Sequence, residues 1–101
     1  MPSRRKIRFN PAAEDDFSQI LQYTMAEWGE DQADEYFDAM MESIDTIAMF
    51  RNIGRARDEW VPGLRSLSTR EHVIFCTADR SHVIVWRILH KRHLPIIDDF
   101  S

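Results

Sequence analysis

"HVIFCTADRSHVIVWRILHKRH", residues 72–93, contains two runs rich in β-branched and aromatic residues, 72–78 and 82–90. Such residues favour strands. The break between them, Asp79-Arg80-Ser81, is the length of a hairpin connection. A third run precedes them: "LRSLST", 64–69, alternates apolar and polar residues and is followed by the short break Arg70-Glu71. Three successive strands joined by short breaks predict an antiparallel meander. At the other end of the chain "KIRF", 6–9, also alternates. Ile7 and Phe9 would face one way and Lys6 and Arg8 the other, as in a short strand added at an edge.

Between these β-type segments the period changes from two to that of a helix. Asn10 is suited to an N-cap and Pro11 to the first helical position. Glu14, Asp15 and Asp16 suit the positive end of the helix dipole. Ala13, Phe17, Ile20, Leu21, Met25 and Trp28 follow helical spacing, which places Trp28 in the core. Gly29 is a natural stop. A second helix is expected from Glu30 or Asp31. Its stripe is Ala33, Tyr36, Phe37, Met40, Met41, Ile44, Ile47 and Ala48, and it should end near Gly54. So short a connection implies an antiparallel helical hairpin. "GRARDEWVPG", 54–63, reads as loop, with Trp60 among charges. The expected fold is α+β: a short N-terminal strand, then a helical hairpin packed on a three- to four-stranded antiparallel sheet.

Residues 1–101 suffice for one domain with one modest core. Hydrophobic residues make up 44% and charged residues 30%, and no apolar run approaches the ~20 residues of a membrane span. A lone cysteine, Cys76, and a basic N-terminus without an apolar stretch point to a cytoplasmic setting. The net charge of −4 conceals a division. Residues 9–50 carry eleven acids and no Lys or Arg, whereas 51–97 carry nine Lys/Arg against four acids. The split fits either a charged partner or neutralisation between the halves.

Candidate chemistry gathers near the end of the chain. Arg65 opens one strand; Trp86 and Arg87 lie in the last, and His90, Lys91, Arg92 and His93 close it. If adjacent strand ends bring these residues together, they could grip phosphate and move protons. The plainer reading is a solvated edge that discourages sheet aggregation. His90 and His93 lack a second ligand pair at diagnostic spacing, so no metal site is expected. Neither a nucleophile turn nor a P-loop is present, and no cofactor is implied. Strict alternation puts Ile84, Trp86, Ile88 and His90 on one face of the last strand and Val83, Val85, Arg87 and Leu89 on the other. Both faces are largely apolar. One would meet the helices; the other would be covered by a partner, or by the long loop and the tail "LPIIDDF".

Three blocks carry a family resemblance: "YTMAEWGEDQA" at 23–33, "GRARDEWVPGLRSL" at 54–67 and the opening stretch at 72–93. In order and spacing they resemble ParE-type toxins of the RelE/ParE superfamily, over nearly the whole chain. The resemblance implies the toxin of a bacterial type II toxin–antitoxin pair. It implies DNA gyrase as target, so that replication is inhibited, and neutralisation by a cognate antitoxin. The antitoxin, not the toxin, would contact operator DNA. RelE-type relatives instead cut mRNA on the ribosome, and a third possibility is a co-repressor module without toxicity. Cutting RNA needs an activated 2′-hydroxyl and a protonated leaving oxygen. The chain's only lysines are Lys6 and Lys91, and no tyrosine follows Tyr36. That favours the ParE branch, a binding protein rather than an enzyme. The residues to present to a partner or target are Arg65, Trp86, Arg87, His90, Lys91 and Arg92. Joint replacement of Arg87 and His90 by alanine is expected to reduce toxicity more than folding.

Overall fold

A computed structural model describes residues 4–50 and 52–100. The elements run β1 (Lys6–Phe9), α1 (Pro11–Trp28), α2 (Glu30–Met49), β2 (Arg55–Ala56), β3 (Arg65–Thr69), β4 (His72–Ala78), β5 (His82–His90) and a closing 3-10 helix, Ile97–Phe100. The helices pack on a sheet of order β1-β5-β4-β3-β2. The expected meander is β3-β4-β5. The sheet has five strands, more than expected, because Arg55 and Ala56 leave the loop to pair with β3. It is also mixed: β1 runs parallel to β5, from Lys6 beside His82 to Phe9 beside Val85.

The helical hairpin forms where the periodicity places it. Pro11 occupies the first turn, but Asn10 makes no side-chain cap and instead reaches Trp86 O from Nδ2 at 3.5 Å. Gly29 takes φ 91° between the helices, a conformation that suits glycine. The second helix stops at Met49, earlier than Gly54, because Phe50 turns extended while its N–H still bonds Thr46 O. Gly54 has a different task. With φ 85° it passes so close to β3 that a Cβ there would lie 2.4 Å from Ser66 O.

Two apolar clusters sandwich the sheet. The larger lies under the helices and unites Ala13, Phe17, Met40, Ile44 and Ile47 with Ile74, Val83, Val85 and Ile88. The smaller lies on the outer face: Leu64, Phe75, Leu89 and Phe100, with Trp60 and Trp86 against them. The outer face is thus covered by the loop and the C-terminal tail of the same chain. Phe100 stacks on Phe75 at 5.0 Å and on Trp60 at 6.1 Å. Trp60 is therefore half-buried. Arg57 helps hold it, its guanidinium 5.2 Å from the ring.

The faces of β5 do not alternate strictly. Cys76 pairs with Val85 but Phe75 pairs with Arg87, so Trp86 is an extra residue and the strand bulges. After the bulge the phase inverts. Val83 and Val85 face the helices, and so does Ile88, whereas Leu89 joins the outer cluster. This corrects the face assignment drawn from strict alternation, which put Val83 and Ile88 on opposite sides.

Candidate functional site

The bulge is also what shapes the end of the sheet. Without it, the β4–β5 register would set His72 opposite Leu89. With it, His72 pairs with His90, and Thr69 of β3 pairs with His72. The two imidazoles meet edge to face, 5.3 Å between centroids. Tyr36 arrives from α2. Its hydroxyl lies 2.5 Å from His72 Nδ1 and accepts the Glu71 N–H at 3.2 Å. Burial lowers the pKa of His72 from its usual 6.5, and neighbouring His90 adds to the effect. Burial likewise raises the tyrosine's pKa above 10.0.

A groove of about 760 Å³ opens over this cluster. Tyr23, Thr24 and Trp28 of α1 form one wall, and Arg70, Glu71 and His90 form the other. A smaller recess of about 370 Å³ shares Tyr23, His72 and His90 and extends towards Asp16 and Gln19. Trp28 is 70% exposed and Tyr23 65%. The expectation that Trp28 is core is therefore incorrect. Its position continues the phase of buried Ala13, Phe17 and Thr24, but past the end of the sheet it meets open groove instead of packed side chains.

The cations expected to converge are placed very differently. Arg65 pairs with Cys76, four residues along β3 from the His72 end, about 13 Å at strand rise. It donates to the carbonyls of Asn52, Ile53 and Gly54, tying the chain after α2 to β3. Arg87 makes a two-pronged bond to Asp16 of α1, at 2.7 and 3.0 Å, and its Nη1 lies 3.6 Å from Asp99 Oδ1 in the tail. The Asp16 bond is the first cause of its raised pKa. Asp16 also accepts the Ile88 N–H at 3.0 Å, so it serves the strand edge beyond the end of β1 rather than the dipole of its own helix. Lys91 pairs with Glu71 at 2.7 Å, the chief cause of that carboxyl's lowered pKa. Trp86 turns onto the outer face, where Nε1 donates to Thr77 Oγ1 at 2.9 Å. His90 and Arg92 remain exposed at the groove end, with the Arg92 N–H donating to His90 Nδ1. Burial pushes the Cys76 thiol up to about 11, which makes it inert as a nucleophile at neutral pH. Among the described residues no group of three His, Cys, Asp or Glu could hold a metal ion, and no helix is long and apolar enough to cross a membrane.

Sequence reasoning missed Tyr36, His72 and Tyr23 as groove residues. Tyr36 sits on the apolar stripe of α2, and His72 is the first residue of a strand. The signal that unites them is the register produced by the bulge, which residue types alone do not reveal.

Comparison with known proteins fits this architecture. Residues 7–95 match the family model described as ParE toxin of type II toxin-antitoxin system, parDE. Toxin ParE1 of Mycobacterium tuberculosis is 39% identical over 84 residues, covering 82% of this chain and 86% of the relative. Toxin ParE of Escherichia coli is 31% identical over 81 residues, 79% of each chain. A solved structure titled chromosomal ParDE TA system from P. aeruginosa shares the fold, with a TM-score of 0.71 at 18% identity over 86% of this chain and 96% of that one. A matched family model spanning most of the chain, together with two relatives above 30% identity, shows that this chain belongs to the ParE toxin family of type II toxin–antitoxin systems.

Proposed function

We propose that residues 1–101 act as one cytoplasmic toxin domain that binds DNA gyrase, blocks replication and is neutralised by a cognate antitoxin. Operator DNA would be met only through that antitoxin. The observation that carries this reading is the fate of the cations. Arg65 is bound to backbone carbonyls, Arg87 to Asp16, and Lys91 to Glu71. They are not gathered around a phosphate-sized site. What the molecule offers instead is a surface: a groove with two exposed aromatic rings at one wall and His90 and Arg92 at its end. Large aromatic side chains are the usual anchors of protein contacts. Of the six residues marked in the sequence, we assign target or partner contact to His90 and Arg92, joined by Tyr23 and Trp28. Arg65, Trp86, Arg87 and Lys91 are instead engaged with partners inside the chain.

The test mixes the purified protein with gyrase, supercoiled DNA and ATP, and separately with translating ribosomes. Accumulation of cleaved DNA is the expected result, and Trp28→Ala should weaken it at unchanged melting temperature. A second reading, cleavage of ribosome-bound mRNA, draws support from the Tyr36–His72–His90 cluster, since two imidazoles near a hydroxyl are a plausible acid–base set. Its chemistry is constrained, because Nδ1 of each ring is already engaged. Untouched gyrase with cut mRNA, and loss of cutting in Tyr36→Phe, would establish that reading and overturn the first.

A further inference from the structure

The neighbours of the two groove imidazoles make both rings hydrogen-bond donors. Tyr36 Oη accepts the Glu71 N–H, so its own proton goes to His72 Nδ1. His90 Nδ1 in turn accepts the Arg92 N–H. With Nδ1 an acceptor in both rings, each neutral imidazole carries its proton on Nε2. Neither Nε2 has a hydrogen-bond partner among the described residues, and both rings line the groove. The pair therefore offers N–H groups even when uncharged. It has no free lone pair with which to take a proton, which suits it to holding an anion.

Arg70 adds a charge to the same place. The turn Arg70-Glu71 joins β3 to β4, and Arg70 takes φ 53°, a left-handed backbone that residues with long side chains rarely adopt. Glycine or asparagine would fit there more easily. Arginine instead puts a guanidinium on the groove wall, and it makes no hydrogen bond or ion pair among the described residues. Tyr36 pins the turn through the Glu71 N–H, so the wall stands in place before any ligand arrives. Glu71 is the only acid lining the groove, and Lys91 neutralises it.

The opposite wall is aromatic. Trp28 and Tyr23 expose most of their rings there. The Gln32 amide also lines the groove and makes no hydrogen bond among the described residues. Flat bases stack readily on such rings. The volume, about 760 Å³, lies within the ~300–1,000 Å³ of small-molecule sites. A stacking wall facing a set of anion donors describes one chemical class. We propose that the groove binds a nucleoside phosphate: its base stacks on Trp28, and its phosphate accepts from Arg70 and from Nε2 of His72 and His90. A free nucleotide and the terminal nucleotide of a single strand share this chemistry. The ligand occupies the surface assigned above to the target, but the inference goes beyond gyrase inhibition and is tested on the isolated chain.

The probe is adenosine 5′-monophosphate, titrated into the full chain beside adenosine and inorganic phosphate. The nucleotide should bind at least about tenfold more tightly than either part. The imidazole resonances of His72 and His90 should move on binding, and so should the Trp28 indole. Arg70→Asn keeps a residue at ease with the positive φ; it should weaken the nucleotide about tenfold at unchanged melting temperature. Trp28→Ser should bring the nucleotide down to the level of phosphate, with phosphate itself bound as before. Phosphate as tight as the nucleotide overturns the proposal, because nothing then stacks. Adenosine as tight as the nucleotide overturns it too, because the donor set is then idle. So do binding that leaves both histidines unmoved and a lack of binding at millimolar nucleotide. A short oligodeoxyadenylate separates the two sources. Tighter binding than the mononucleotide supports the proposal with a strand as ligand; equal or weaker binding supports it with the free nucleotide. The resonances are read in the unmutated chain, so a variant that fails to fold leaves the test intact.

Discussion

Replacing Arg87 should destabilise the fold rather than remove a contact residue. Its guanidinium is 23% exposed and the Asp16 carboxylate 14%, and two charge-assisted bonds join them. An exposed pair contributes roughly 0–1 kcal/mol, whereas breaking a buried one costs about 3–5 kcal/mol. At this exposure, with Ile88 N–H still donating to the abandoned carboxylate, Arg87→Met should cost about 2–3 kcal/mol. At about 4–8 °C per kcal/mol for a domain of this size, that lowers the melting temperature by about 10–20 °C. The assay is a double-mutant cycle in urea with Arg87→Met, Asp16→Asn and both together. A coupling of about 1.5–3 kcal/mol is expected. Coupling below about 0.5 kcal/mol would refute the claim that the pair braces α1 against β5. Growth inhibition should fall only as the folded fraction falls. A variant that melts like the parent yet has lost toxicity would return Arg87 to the contact surface, where the sequence had placed it beside His90.

Three further outcomes are expected. Gly54→Ala must push a methyl against Ser66 O at a positive φ, and should destabilise by about 2 kcal/mol or more in a urea titration. Ending the chain after Ile96 removes Phe100 and uncovers Phe75 and Leu89. It should cost about 2–4 kcal/mol and increase binding of a hydrophobic dye, while unchanged stability would show that the tail is not part of the outer core. For His72 the folded pKa lies below 6.5, so between that folded value and about 6.5 the unfolded chain binds more protons and stability rises with pH. Urea midpoints should therefore begin to fall as pH drops below about 6.5, well above the range where loss of the Glu71 and Asp99 carboxylates matters. His72→Gln should flatten that first decline, and an unchanged slope would rule the residue out as its source.

The parts of the fold visible in the sequence were those with a regular period. The helical hairpin, its Pro11 start and Gly29 turn, and the three-strand meander all follow from spacing and punctuation. The misplaced details arise where long-range pairing overrides local pattern. β2 contains only Arg55 and Ala56, too short to show any alternation, and it exists because β3 lies beside it. Trp28 has the phase of a core residue, yet burial depends on what stands opposite. Arg65 and Arg87 look like binding residues because free and internally paired arginines are identical in a sequence. Only the structure shows the carbonyls of Asn52, Ile53 and Gly54, and the Asp16 carboxylate, that occupy them. The groove at the sheet end was the least legible, since Tyr36, His72 and His90 are distant in sequence and meet through the β4–β5 register.

The extra residue in β5 has a consequence for how relatives should be aligned with this chain. A homologue whose last strand runs straight would lack a counterpart of Trp86, and a gap belongs at that column even where the flanking residues tempt a continuous match. Aligned without it, Ile88 and Leu89 would be compared with residues that serve the opposite layers of the protein. The histidine facing His72 would then be sought one column too early. Comparisons of toxin surfaces across the family should therefore be anchored on the strand on each side of Trp86 separately.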